Sequence, residues 1–413
     1  MVVVNAVREL SDGEAAFAYT HALMGGTTQV TTQVTVREDI APGRLHKAVE
    51  QWAAELPLLG LRIEEHADTL WFAQGPGVLP DQLRHSTLTS PDSPDDLLRR
   101  ELNEVLETGA PLWRLHAVRD PRAGATHLYF TRNHAISDGH STGAVIRALL
   151  DALFPSSEPS PYDVRRLPPD ADGLAYRAPA GQQGLVQPPS GRLPFAEHRP
   201  WEERGADFVP CTLTRAESVA LKGWCKQQGV TVNQFFAAAL AESYAEVTGR
   251  TEVGMFTAVS LRQRYADLPD VGCFINVLRV PMRPGRGELT GLAREYGTAL
   301  AAADAAWRPP VRSHAAIRRA VEETAAAGSA PGICITNVGV VDPALGPHLN
   351  RVGGYRTIVN RTGANYGLVL HLGTLDGTFS PALAFGTPAV DRSLALDVAK
   401  GLHDRAVRPQ GAA

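Results

Sequence analysis

The sequence predicts a mixed α/β protein of the α+β type, built as two lobes of similar size. Its 413 residues exceed one ordinary hydrophobic core and suggest two domains of about 200 residues each. Strand and helix signals are interleaved in both halves, without the regular alternation of a doubly wound parallel sheet. A proline-rich segment without apolar periodicity separates the halves. We therefore predict an N-terminal lobe over 1–155, a linker or crossover over 156–205, and a C-terminal lobe over 206–413.

The elements of the first half follow from helix caps and from the spacing of apolar residues. Ser11 and Glu14 have capping-box spacing and begin a helix, and the alternating stretch 27–36 predicts a half-buried strand. The further predicted elements, in chain order, are a helix over 42–56, strands over 58–65 and 69–74, a helix from Ser93 through 109, strands over 112–120 and 126–132, and a helix over 142–154.

The second half begins again with the same signals. Two capping boxes, Thr214 with Glu217 and Thr231 with Gln234, begin two successive helices. The pair Phe235 and Phe236 on the second of these helices is predicted to lie in the core. The elements that follow are strands over 252–262, 271–283 and 332–341, a hairpin over 366–385 that turns at 375–377, and a final helix over 393–407.

Composition narrows the class of protein. With 44% hydrophobic and 20% charged residues the chain reads as globular and soluble, and its net charge of −4 gives no electrostatic case for nucleic acid. No stretch is apolar enough to span a bilayer, and the first residues are too short a run for a signal peptide. Four widely spaced cysteines indicate reduced thiols in a cytosol. We expect a cytoplasmic monomer.

The loop TRNHAISDGHSTG (131–143) offers two kinds of chemistry. Read from Gly139, it fits the G-x-S-x-G elbow of a serine hydrolase or thioesterase, with Ser141 as the nucleophile. An elbow requires the strand to run directly into its first glycine, and here six residues separate Arg132 from that glycine. Asp376 and His403 would complete a triad, but a chain of this length offers many such pairs. We instead predict Ser141 as the N-cap of the following helix.

Read from His134, the same loop gives H-x-x-x-D-G with Asp138 and Gly139. The motif follows an apolar strand and precedes a helix, where catalytic groups are usually presented. A histidine titrates near pH 6.5 and can take a proton from an alcohol or amine and return it to a leaving group. Asp138 suits a salt bridge to a distant arginine that aims the ring. The ordinary alternative is a structural loop histidine beside a turn-forming aspartate. As metal ligands, His134, Asp138 and His140 match no known spacing, and no metal site is predicted.

NHAISDG resembles the H-H-x-x-x-D-G motif of the condensation-domain superfamily, and the chain is most similar there to the stand-alone polyketide-associated acyltransferases, the group of phthiocerol dimycocerosyl transferase. The resembling segments follow the family order over nearly the whole chain. They are SDGEAAFAY (11–19), LPLLGLRIEE (56–65), TVNQFFAAAL (231–240), TAVSLRQR (257–264), GCFINVLRV (272–280) and ITNVGVV (335–341).

The resemblance implies two chloramphenicol-acetyltransferase-like lobes with a tunnel at their interface and His134 midway along it. It further implies that His134 is the catalytic histidine and Asp138 the structural aspartate, with Arg262, or second Arg279, as the partner of that aspartate. The remaining implied residues are Gly139 as a backbone donor to the oxyanion, Asn276 and Asn337 at the lobe interface, and Asn133, which replaces the first family histidine and supports the loop.

The implied activity is transfer of an acyl group from a thioester to a hydroxyl or amine of a small-molecule acceptor in natural-product biosynthesis. The donor would be acyl-CoA or a phosphopantetheine thioester on a carrier protein, and no cofactor would be bound permanently. Three alternatives remain open. They are a serine hydrolase or thioesterase using Ser141, a cyclisation or release reaction on the same fold, and a non-catalytic module that docks a carrier protein.

Overall fold

The computed structural model describes residues 6–178 and 191–409 of the chain. Its α-helices are α1 (Asp12–Leu23), α2 (Pro42–Glu55), α3 (Pro94–Asn103), α4 (Gly139–Leu153), α5 (Arg215–Gln228), α6 (Val232–Thr248), α7 (Leu289–Ala306), α8 (His314–Ala326), α9 (Asp342–Leu345) and α10 (Arg392–Val407). Within these ranges, no helix is both long and apolar enough to span a membrane.

The strands form two large sheets and two small ones. In chain order they are β1 (Ala6–Glu9), β2 (Val30–Val36), β3 (Leu61–His66), β4 (Thr69–Gln74), β5 (Leu83–Thr87), β6 (Trp113–Asp120), β7 (Ala125–Arg132), β8 (Leu193–Pro194), β9 (Gly205–Pro210), β10 (Val253–Ser260), β11 (Ile275–Met282), β12 (Ser329–Ala330), β13 (Ile333–Val340), β14 (Val352–Val359), β15 (Val369–Leu375), β16 (Thr378–Phe379) and β17 (Ala382–Thr387).

The first large sheet has the strand order β14-β2-β7-β6-β5. Neighbouring strands are antiparallel except β5 and β6, which are parallel. Helices α2 and α4 pack on one face, where Trp52 donates its indole N–H to the Val145 carbonyl at 3.0 Å and stacks edge-on against Trp113. A buried aromatic core therefore fixes strand β7, whose end carries the loop that follows.

The second large sheet has the order β11-β10-β13-β15-β17-β9, with β16 paired to β15. Its central strands β10, β13 and β15 are parallel, and the outer pairs are antiparallel. Helix α6 lies in the core of this lobe, and its residues from Phe235 through Ala241 are fully buried. The prediction that Phe235 and Phe236 are core residues is confirmed.

Strand β14 links the two halves of the chain. It follows the second-half strand β13 in sequence, yet it pairs with β2 at the edge of the first sheet, from Val359 opposite Val30 to Val352 opposite Val36. A third buried cluster joins helix α3 to strands of both sheets. The sequence boundaries at 155 and 205 therefore do not separate the two sheets. They remain a prediction as domain boundaries, and part of the proposed linker lies outside the described residues.

The mixed two-lobed fold class is confirmed, and several elements differ in detail from their predictions. Strand β2 begins at Val30 and is buried at nearly every position, where a half-buried strand was expected. The reason is that both faces of this sheet are covered. Helix α3 ends at Asn103, where 109 was expected. The predicted hairpin turn is confirmed, because Asp376 and Gly377 have φ values of 47° and 72° between paired strands.

Candidate active site

The loop between β7 and α4 is short and tightly bonded. Asn133 caps a single 3₁₀ turn over His134–Ile136, because its side-chain oxygen accepts the Ala135 N–H at 2.9 Å. Helix α4 then begins at Gly139, with Asp138 as its N-cap. Asn133 holds this turn by its cap, and its role as the counterpart of the first family histidine stays a prediction. The prediction of Ser141 as the N-cap was wrong, since Asp138 has that place and Ser141 lies in the first turn.

The imidazole of His134 borders a cavity between the lobes. Its ring stacks on Phe17 of α1, with centroids 4.2 Å apart and planes 7° from parallel. Its Nδ1 lies 3.6 Å from the Cys273 sulfur. Burial, with the nearby Arg132 guanidinium as the next cause, lowers the pKa of His134 from 6.5 to about 4. At neutral pH the ring is therefore uncharged and able to accept a proton.

Asp138 anchors the loop to the second half of the chain. One carboxylate oxygen accepts the N–H of Ser141 at 2.8 Å, and the other accepts the N–H of Phe274 at 3.0 Å. The Arg262 guanidinium lies 3.2 Å from the carboxylate, and the aspartate is only 2% exposed. The structure pairs Asp138 with Arg262 among the two predicted arginines, and Arg279 lies on β11 opposite Phe256. These partners leave the aspartate as a structural anchor for the loop that carries His134.

Ser141 does not have the surroundings of a nucleophile. It is fully buried, and its hydroxyl oxygen accepts from Arg262 at 2.8 Å and has both Asp138 and the Gly272 carbonyl within reach as acceptors for its single hydrogen. The possible triad partners lie elsewhere, because Asp376 pairs with Arg215 at the surface and His403 lies beside Asp404 on α10. The geometry therefore gives no support to the serine hydrolase interpretation.

The cavity beside His134 has a volume of about 290 Å³ and a wall of mixed polar and apolar side chains. Both sheets and the loop contribute to it. Its lining residues are Val30, Arg132, His134, Ser137, Asp138, Gly139, His140, Ala258, Val259, Ser260, Arg262, Ile275, Thr336, Asn337, Val338, Thr357, Val359 and His371. Its position at the interface matches the place that the resemblance implied for a tunnel. A passage through to the opposite face remains a prediction.

Of the other predicted site residues, two line this cavity and one does not. Gly139 and Asn337 line it, and the side chain of Asn337 accepts the Gly339 N–H at 2.8 Å. Asn276 is not in the lining, although its cross-strand neighbour Val259 is. Among the residues that the structure describes, no group of three or more His, Cys, Asp or Glu side chains is arranged to hold a metal ion.

Three residues at the site were missed by sequence reasoning. Phe17 stacks on the imidazole from a helix more than a hundred residues earlier, so no local pattern indicates it. Arg132 is fully buried at the end of β7, and a charged residue ending an apolar strand was the available signal. His371 lines the cavity from β15, and burial lowers its pKa well below the usual range. Its strand position alone did not distinguish it from a core residue.

The fold is that of a condensation domain. The chain superposes on the first condensation domain of the CDA synthetase with a TM-score of 0.69, 17% identity and 98% of each chain covered. The EpoB cyclization-docking bidomain from Sorangium cellulosum superposes with a TM-score of 0.69 and 16% identity, and the match covers 99% of this chain and 87% of that one. Polyketide synthase associated protein 5 from Mycobacterium tuberculosis superposes with a TM-score of 0.67 and 13% identity, with 98% of each chain covered.

A more particular likeness lies in the second half of the chain. Residues 202–365 match the family model described as phthiocerol/phthiodiolone dimycocerosyl transferase C-terminus. No curated protein sequence matches the chain significantly. The resemblance to the condensation-domain superfamily, near the polyketide-associated acyltransferases, is confirmed by the fold and by this match together.

Proposed function

We propose that the protein is an acyltransferase of natural-product biosynthesis, which moves an acyl group from a thioester to a hydroxyl or amine. The donor thioester would be carried by CoA or by the phosphopantetheine arm of a carrier protein. The observation that carries this proposal is a neutral histidine bordering an interlobe cavity, on a loop held by a buried aspartate–arginine pair. We expect the enzyme to be cytoplasmic and monomeric, without a permanently bound cofactor.

In the proposed reaction, His134 acts as a general base and then as a general acid. Because Nδ1 lies beside the Cys273 thiol, we assign the acceptor proton to Nε2. As that proton leaves, the acceptor oxygen or nitrogen attacks the thioester carbonyl and forms a tetrahedral intermediate. The C–S bond then breaks, and the imidazolium returns the proton to the departing thiolate. No acyl-enzyme forms, and the ring ends neutral.

The backbone near His134 offers a way to stabilise the intermediate. Gly139 is the first residue of α4, and N–H groups in the first turn of a helix lack intrahelical acceptors. Because Gly139 lines the cavity, its N–H is our candidate donor to the oxyanion. One well-placed donor of this kind lowers the activation free energy by about 3 kcal/mol.

A product analysis tests the proposal most broadly. The purified protein would be incubated with a panel of acyl thioesters on CoA and on a carrier protein, together with candidate alcohols and amines. Mass spectrometry would then identify ester or amide products. We expect at least one donor and acceptor pair to give a product whose mass equals the sum of both substrates minus the thiol. Hydrolysis of every donor with no such product would contradict the proposal.

The remaining alternatives make different predictions in the same assay. A cyclisation or release reaction, the class named for one structural relative, would give a product of lower mass from one carrier-bound substrate. A non-catalytic docking module would bind the carrier protein and leave every thioester intact. A serine hydrolase would label with a fluorophosphonate probe, which we do not expect because Ser141 is buried.

A further inference from the structure

Arg132 brings a buried positive charge to the cavity without a matching acid. It lines the cavity and is 1% exposed. Its guanidinium donates to the hydroxyls of Thr32 and Ser137 at 3.0 Å each, to Thr142, and to the Phe130 carbonyl. All four acceptors are uncharged oxygens. In the ranges 6–178 and 191–409, Arg132 forms no salt bridge.

Two further groups add to this imbalance. Arg361 is buried, its guanidinium donates to the Asn365 side chain at 3.3 Å, and its Nε has no acceptor in the described parts of the chain. His371 lines the cavity, is 4% exposed, and has an Nε2 with no partner there. Arg361 lies close enough to both histidines to lower the pKa of His134 and of His371, after burial as the main cause.

The acid in the cavity wall is already occupied. Asp138 is paired with Arg262 and accepts from backbone and hydroxyl donors, so it neutralises one charge only. Taking an ionised side chain out of water without a counter-ion is strongly unfavourable. Arg132 in the cavity wall and the buried Arg361 therefore give this region an excess of positive charge that a bound anion would balance.

We propose that the cavity binds a substrate that carries a carboxylate group, with His371 as the contact in its wall and the buried Arg132 and Arg361 adding positive charge. This inference rests on the proposed acyl transfer, because it assigns a charge to one of the two substrates. A volume of about 290 Å³ corresponds to about ten water molecules, which suits a small hydroxy or amino acid. The carboxylate belongs either to the acceptor or to the acyl group, and the probes below separate these sources.

The test is calorimetric binding with matched probes, each added without its reaction partner. For the acceptor, 3-hydroxybutanoate is compared with 3-hydroxybutanamide, which keeps the hydroxyl and loses the charge. For the acyl group, succinyl-CoA is compared with butyryl-CoA. We expect the acid of one pair to bind at least tenfold more tightly than its neutral match, which identifies the substrate that carries the carboxylate. Binding within twofold for both pairs would overturn the inference.

Variants connect that preference to the named residues. Arg361→Gln should reduce it to less than threefold, and His371→Asn should weaken it while both proteins keep a cooperative melt. Arg318→Gln removes a partly exposed arginine on the outer side of helix α8 and should leave the preference unchanged. If Arg361→Gln does not fold, the decision passes to His371→Asn. A full tenfold preference in a folded Arg361→Gln protein, or in folded His371→Asn when that variant decides, would assign the anion to another site and overturn the inference.

This test and the test of the proposed function fail separately. Acyl transfer to a neutral acceptor from a neutral acyl donor, with no preference for either acid, would contradict the carboxylate site and leave the acyltransferase intact. Tight binding of one acid that depends on Arg361, together with no transfer product from any pair, would support the site and contradict the acyltransferase.

Discussion

The pKa of His134 lies well below the pH at which a histidine base is most effective. A base with a pKa near the working pH is the most effective proton acceptor, whereas burial and two nearby arginines keep this ring neutral far below that pH. The benefit is that the whole population of enzyme molecules holds the ring in its accepting form. A carboxylate bound near Arg361 would offset part of the positive field and raise the pKa of His134 in the complex.

The pH dependence of the reaction follows from this lowered pKa. Because the free enzyme has His134 with a pKa of about 4, kcat/KM for a hydroxyl acceptor should change less than about twofold between pH 8 and pH 5. A histidine at 6.5 would lose about thirtyfold by pH 5. Initial rates at low acceptor concentration measure this, and an acid limb centred near pH 6.5 would refute the assignment.

Asp138 is expected to matter for stability as well as for rate. Asp138→Asn removes the charge that faces Arg262 inside the protein, and breaking such a pair should lower the free energy of unfolding by about 3 kcal/mol. Activity should fall with it because the loop loses its anchor. Urea unfolding measures the first effect. Asp376→Asn, which breaks an exposed pair with Arg215, is the control and should lower it by less than about 1 kcal/mol. Equal effects of the two variants would contradict the anchoring role.

At the scale of elements, helix α4 is the part that couples the loop to both lobes. Its first turn is capped by Asp138, and Gly139 faces Val338 of β13 in the other sheet. Motif reading located the loop because β7 and α4 have clear signals. The sequence did not identify the N-cap, because Ser, Thr and Asp are all good N-caps. The contacts of Ser141 and Asp138 with the segment around Gly272 are long-range and are visible only in the structure.

Gly139→Ala tests this close approach. The added methyl group would lie 3.0 Å from the Val338 side chain, so helix α4 or β13 must shift by a few tenths of an ångström. Because Gly139 lines the cavity, we expect kcat to fall about tenfold while the melting temperature changes by only a few degrees. Steady-state kinetics and calorimetry measure the two. Gly223→Ala on α5, where the methyl group meets no neighbour, is the control. Unchanged kinetics in Gly139→Ala would show that this approach is unimportant for the reaction.

At the scale of the whole molecule, periodicity and capping predicted two α/β lobes but not how they are joined. Strand β14 pairs with β2, more than three hundred residues earlier, and that long-range pairing leaves no local trace in sequence. The resemblance to the condensation-domain superfamily predicted a site at the interface between the lobes, which periodicity alone does not indicate. Arg361 directly follows β14 and His371 lies on β15 of the other sheet, so the structure was needed to show that they are near each other.

Several buried histidines make the stability of the whole protein sensitive to acid. Burial lowers the pKa of His21, His127, His134 and His371 in the folded chain. Below pH 6.5 the unfolded chain therefore binds protons that the folded chain does not, so the free energy of unfolding falls as the pH falls. Each such histidine contributes about 1.4 kcal/mol per pH unit.

Urea unfolding between pH 7 and pH 5 measures this slope. His371→Asn should reduce the slope by about one proton, and His46→Asn, at an exposed position on α2, is the surface control. Identical slopes for the wild type and His371→Asn would mean that His371 is protonated in the folded protein.

The rate of acyl transfer by His134→Ala tests the central claim most directly. With a donor and acceptor pair found in the product analysis, we predict that this variant loses at least about a hundredfold in kcat, because general acid–base catalysis contributes 10² to 10⁴. Its melting temperature should stay within a few degrees of the wild type, and exposed His46→Ala should retain full activity. A folded His134→Ala protein that transfers the acyl group at the wild-type rate would contradict the account.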